Sequence, residues 1–144
     1  MKNRNNIRGA TLVEFALILP VFLFLVFAIL NFGRALQIYQ TLTNAAREGA
    51  RYSAAPYEGT NPGDLPETLD VEAKVCAYLL SGNLPCGSKS TVSISQAGTK
   101  TVNGITMAYT QVDVSAPYTF IGLPLPDVTM TTHAVMRNEN DGTP

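Results

Sequence analysis

The stretch that decides the reading is RGATLVEFALILPVFLFLVFAIL, Arg8 to Leu30. From Leu12 to Leu30 there are nineteen residues, of which only Glu14 is charged. At 1.5 Å per residue a helix of that length spans about 28 Å, the thickness of a bilayer's hydrocarbon core. The segment is therefore read as membrane-spanning over about 12–30, and the rest of the chain as something attached to it. Lys2, Arg4 and Arg8 precede it with no acidic residue among them. That bias places the N-terminus in the cytoplasm and the remainder outside, although Arg34 and Arg47 follow on the far side. A cleaved secretory signal is the competing reading. It is disfavoured by the length of the apolar run and by the absence of a small-x-small site closing it, the nearest triplet being Ser53–Ala54–Ala55.

Bulk composition averages two unlike regions. The chain of 144 residues is 46 % hydrophobic and 15 % charged, with a net charge of −1. That length allows one small domain beyond the anchor. Charge near zero, with no basic patch past the N-terminus, excludes nucleic acid as an expected partner. Residues 1–9 read as a short polar leader, disordered before processing. Beyond Leu30, Phe32, Leu36, Tyr39, Leu42, Ala46 and Ala50 recur at steps of three and four. One helix is expected over 10–55, ending before Pro56. Ala45/Gly49 and Ala46/Ala50 place small residues four apart, which lets another backbone approach, either the chain's own domain or a neighbouring subunit.

Residues 56–144 form the second region, an expected small extracytoplasmic domain. Pro56 to Pro66 is a connector rich in proline and glycine. Thr68–Leu80 reads as a short helix with Thr68 as N-cap, Asp70 and Glu72 in its first turn, and Gly82 ending it. Three segments alternate as strands: Thr91–Gln96, Ile105–Ala116 and Val128–Met136. In the second, the apolar face switches from Ile105/Met107/Tyr109 to Val112/Val114/Ala116, which predicts a bulge near Thr110. Ala97–Gly104 reads as a turn region, Pro117–Pro126 as a longer connection and Arg137–Pro144 as a polar tail. The expected fold class is α+β: a long, partly transmembrane helix, a short helix, and a three- or four-stranded antiparallel sheet packed on the helix.

Few residues invite chemistry. Glu14 lies near the end of a membrane helix, where a carboxylate still needs a partner; at the centre insertion would cost ~2.5–3.5 kcal/mol. It either snorkels to the headgroups or pairs with a cation. Cleavage after Gly9 would create such a cation on Ala10, an α-amine of reference pKa ~7.7–8, four residues away. Pro20 removes one N–H and frees the Ala16 carbonyl, so a kink is expected. Cys76 and Cys86, ten apart, are not a C-x-x-C pair, and no nearby histidine suggests zinc. A structural disulfide is the expected state outside the cytoplasm, free thiols the alternative. His133, the only histidine, falls on the Thr129/Thr131 side of its strand. A catalytic pairing with Asp113 or Asp127 is the remotest reading. No glycine pattern of a nucleotide site or nucleophile elbow occurs, so neither a cofactor nor an enzyme is expected.

The order of a basic leader, Gly9, A-T-L-V, Glu14, an aromatic at Phe15 and an apolar helix resembles a class III signal of the type IV pilin kind. More narrowly, R-G-A-T-L-V-E-F-A-L-I-L-P (Arg8–Pro20), N-F-G-R (Asn31–Arg34) and A-A-R-E-G-A-R-Y (Ala45–Tyr52) resemble the TadE-like family. These are minor pilins or pseudopilins of the tight-adherence (Tad/Flp) pilus. The resemblance implies a pilin-like fold and prepilin-peptidase cleavage between Gly9 and Ala10. It implies that Glu14 pairs with the N-terminal amine of a neighbouring subunit. It also implies other pilins, inner-membrane Tad assembly proteins and the lipid bilayer as partners. Phe15 departs from the tyrosine of the major Flp pilins, and the greater chain length favours a minor or assembly-priming role. The alternative is an unprocessed, single-pass anchored binding or scaffold module.

Overall fold

A computed structural model describes residues 5–55, 65–87, 90–122 and 125–138. The connector expected over Pro56–Pro66 and the tail after Asn138 fall almost wholly outside these residues, as does the start of the leader.

Helix α1 runs over Asn5–Ala54, 50 residues, straight through Gly9 and Pro20 without interruption. It starts before the expected Ala10, so the end of the leader is helical. Once a helix is nucleated each further residue adds one hydrogen bond, and nothing in Asn5–Gly9 forbids it. Its end at Ala54 agrees with the stop expected ahead of Pro56.

Helix α2, Thr68–Ser81, follows. The N-cap is Glu67, not the expected Thr68, and no side chain caps the helix. The Glu67 carbonyl instead accepts from the Asp70 and Val71 amides at 3.0 and 3.1 Å. At the other end Gly82 is the C-cap, but its φ of −84° does not use glycine's freedom. Asn83 takes the left-handed conformation, φ 60°. The Leu84 amide donates to Leu79 and the Asn83 amide to Leu80, the bond pair of a Schellman ending. Leu84 then folds back onto the core.

The sheet comprises β1 (Thr91–Val102), β2 (Ile105–Tyr118) and β3 (Val128–Arg137), antiparallel, in the order β1-β2-β3. Strand β1 outruns its expected end at Gln96. The true turn is Asn103–Gly104, with φ of 52° and 81°, closing a two-residue hairpin of the kind that positive φ at both positions permits. The anticipated bulge lies at the level of Thr110 but in the other strand. Ser95 pairs with Gln111 and Gly98 with Tyr109, so Gln96 and Ala97 together oppose Thr110. Strand β2 itself does not switch faces: Thr110, Val112, Val114, Ala116 and Tyr118 are all buried on one side. The Tyr109 ring lies over Gly98, and a Cβ there would have to displace it. Strand β2 also continues through Pro117 and Tyr118; Pro117 lies past the end of β1, where a missing donor is tolerated.

The C-terminal half of α1 is the floor on which α2 and the sheet sit. Leu42, Ala45, Ala46 and Ala50 meet Val71, Val75 and Leu79 of α2 and Val112, Val114 and Ala116 of β2 in one core. Gly49 lies beneath both: a Cβ there would strike Val75 and come within 3.4 Å of Val112. The small-residue spacing thus serves the chain's own packing. The disulfide Cys76–Cys86, Cα atoms 5.3 Å apart, ties α2 to the loop ahead of β1.

Two polar ties bracket this core. At the far end Gln96 donates to Ser53 (2.9 Å) and to the Pro66 carbonyl (2.8 Å), while Thr110 donates to Asn138 at 2.7 Å. At the end nearer the apolar segment, Asn31 is only 5 % exposed and bonds to both backbone groups of Ile121. Buried polar groups must find such partners, and among the described residues no buried side-chain polar atom lacks one.

Candidate functional site

The N-terminal half of α1 has no side chain buried among the described residues. Among the described residues one helix is long and apolar enough to cross a membrane, and its most apolar eighteen-residue window, of mean hydropathy 2.8, has no residue buried. Gly9, Ala10, Glu14 and Phe15 are all exposed on it. A Cβ on Gly9 would meet nothing, so that glycine is not there for packing. Glu14 stands one helical turn, about 6 Å of rise, from Ala10. It has no hydrogen-bond or ion-pair partner among the described residues. Pro20, where a kink is expected, lies within this helix.

The apolar stripe expected past Leu30 divides in two. Leu42, Ala46 and Ala50 enter the core, but Phe32, Leu36 and Tyr39 remain exposed, at 66 %, 45 % and 50 %. Their heptad-like spacing continues Glu14, Val21 and Leu25 along the same side of the helix. A carboxylate therefore heads an exposed apolar seam that extends past the span and alongside the sheet. Such a seam can do one kind of chemistry, packing against lipid or another helix, with one fixed charge to set register.

The sheet's outer side offers little else. An open groove of about 680 Å³ runs between α1 and β3, lined by Arg47, Glu48, Arg51, Tyr78 and His133 among others. Glu48 is engaged there: Arg51 donates to its carboxylate at 2.8 and 3.0 Å. That hydrogen bond, helped by the positive charge of Arg51 and Lys74 and opposed by partial burial, holds the Glu48 carboxyl below its usual range. The β2–β3 register sets Asp113 opposite His133, yet the Asp113 carboxylate accepts from Gln111, at 3.0 and 3.1 Å, and not from His133. Asp127 lies apart, in a second cavity beside Arg34 and Tyr118. The histidine and its two candidate carboxylates do not assemble. Among the described residues no cluster of His, Cys, Asp and Glu has a metal-binding arrangement.

Residues 9–51 match the family model of TadE-like protein. The TadE-like segment begins at Gly9, takes in Glu14, the apolar span and the exposed seam, and ends as α1 passes under the sheet. The chain matches no curated protein and no solved structure. The family signal thus resides in α1, while the sheet and α2 stand outside it.

Sequence reasoning missed the polar tie at Asn31. The signal was present: an asparagine directly after nineteen residues of apolar helix is out of place unless something bonds to it.

Proposed function

We propose that the chain is a TadE-like minor pilin or pseudopilin that acts in assembling a Tad (Flp, type IVb-like) pilus after prepilin-peptidase cleavage. The observation that carries the reading is the single helix in which an exposed, Glu14-headed apolar seam continues into the support of a folded head. In this reading residues 1–9 are the cytoplasmic leader and α1 anchors the chain in the inner membrane. Residues 56–144 lie outside the cytoplasm, where the disulfide is stable.

Gly9 suits the peptidase because it costs the helix about 0.5–1 kcal/mol relative to alanine and so eases local opening of the bond to Ala10. After the cut, the new ammonium on Ala10 offers a partner for Glu14 of an adjacent subunit, and removing both charges together from lipid is far less costly than leaving one alone. Phe15, Val21 and Leu25 exchange lipid for neighbouring helices, so the apolar surface of the span never meets water. Other pilins and the inner-membrane Tad assembly proteins are the partners of that step.

Intact-mass and N-terminal analysis of the chain purified from its own membranes, beside a Gly9→Leu variant, tests this. A mature N-terminus at Ala10 that disappears in the variant is the expected result. An uncut N-terminus in cells with an active prepilin peptidase would leave only an anchored extracytoplasmic module.

A further inference from the structure

The link between β2 and β3 lies at the end of the sheet that faces the apolar half of α1. Asn31 holds it there: its Oδ1 accepts from the Ile121 amide at 2.8 Å, and its Nδ2 donates to the Ile121 carbonyl at 3.0 Å. Gly122, with φ +73°, rests on the Phe27 ring; a Cβ added to it would lie 3.5 Å from two ring carbons. Phe27 is three residues inside the end of the apolar span, so the link overlaps the span's last turn by about 4.5 Å of rise.

What the link presents is apolar. Ile121 and Leu125 are 52 % and 51 % exposed, and no charged residue occurs from Val114 to Pro126. Just above this level stands Arg34, one turn past Leu30, with its guanidinium 6.0 Å from the centre of the Tyr118 ring. A cation and a tyrosine above exposed aliphatic residues is the gradient that a headgroup boundary favours. The opposite end of the sheet, at Lys100, Thr101, Asn103 and Gly104, has the contrary character.

We propose that Ile121 and Leu125 insert into the outer interface of the bilayer, giving the chain a second membrane contact beside its spanning helix. The occupant of this surface is lipid, because the patch is continuous with the apolar face of α1 that already lies in it. The contact fixes how deep α1 sits and how the sheet is turned against the membrane, and it must be given up when a subunit leaves the bilayer. The inference rests on α1 spanning the membrane.

The chain has no tryptophan, which makes single-tryptophan variants clean reporters. The full chain would be reconstituted in phosphatidylcholine–phosphatidylglycerol vesicles carrying lipids brominated near the head or near the tail of the acyl chain. Ile121→Trp and Leu125→Trp should emit to the blue and lose emission to head-proximal bromine. Phe22→Trp should be quenched by tail-proximal bromine, and Val135→Trp by neither. Quenching of Phe22→Trp with both loop reporters unquenched overturns the second contact and leaves the anchor standing. Absence of quenching at Phe22→Trp overturns the anchor itself, and the second contact with it.

Discussion

Replacing Asn31 with alanine should release the membrane-proximal end of the sheet from α1. The side chain makes two long-range bonds to Ile121, at 2.8 and 3.0 Å, and a weaker one at 3.2 Å from the Tyr118 hydroxyl. Its remaining bond, to the Phe27 carbonyl four residues back, is local to the helix. At roughly 1 kcal/mol net per bond, with an added penalty for leaving the part-buried Ile121 groups unpaired, the loss comes to about 2–3 kcal/mol. Asn31→Asp should be no milder, because a carboxylate would replace the amide donor facing two carbonyl oxygens.

Tyr118→Phe provides the comparison. Its strongest bond, 2.6 Å, goes to the backbone carbonyl of Asn31, which alanine at position 31 retains. The single change should cost about 1–1.5 kcal/mol, and because the two side chains share the 3.2 Å bond the double mutant should fall short of the sum by about 0.5 kcal/mol or more. The assay is denaturant unfolding of the full chain in phospholipid nanodiscs, joined to hydrogen exchange at the Ile121 amide. Because the tie sits at one edge of the core, exchange there should accelerate before global unfolding does. An Asn31→Ala variant with unchanged exchange at Ile121 and an unchanged midpoint would refute the reasoning.

Three further outcomes follow from the same geometry. Cys76→Ser with Cys86→Ser opens a loop closed over ten residues of separation; thermal unfolding should register a loss of about 2–3 kcal/mol, and reductant should reproduce it in the wild type. Thr110→Val removes the donor to Asn138 and the acceptor that faces Ser53 inside the far tie, so a denaturation midpoint lowered by about 1–3 kcal/mol is expected, while Thr110→Ser should retain most of it. Glu48 titrates below its ordinary 4.5 in the folded chain. Its contribution is therefore complete above the unfolded pKa and is lost as pH falls through the lower folded one. The small stability margin of wild type over Glu48→Gln should vanish on acidification across that window, and a margin that grew instead would contradict the sign.

The helices were legible in the sequence because their signals are local: sixteen uncharged, mostly apolar residues in a row from Phe15 to Leu30, a three-and-four periodicity, a proline after the last turn. The β-region was less so, for a physical reason that two residues illustrate. Thr110 breaks the apolar alternation of β2, and a polar residue between two apolar runs invites the reading of a bend in its own strand. In the fold Thr110 stays on the buried side because Asn138, twenty-eight residues on, accepts its hydrogen bond, and the bulge at its level is taken by Gln96 and Ala97 of β1. Asn31 is the same case on the helix. Its neighbours in sequence say only that an amide ends an apolar run, and its role depends on Ile121, ninety residues away. Both are hydrogen-bonded polar residues buried between elements, and their partners lie at separations that no local window spans. The candidate seam divides along the same line. Phe32, Leu36 and Tyr39 share a period with Leu42, Ala46 and Ala50, but helical period fixes only which residues can lie near one another. What separates the exposed members from the core is how far along α1, as well as around it, α2 and the sheet reach. The residues left uncovered, headed by Glu14, are therefore defined by tertiary packing as much as by hydrophobicity, which is why they run past the membrane boundary instead of stopping at it.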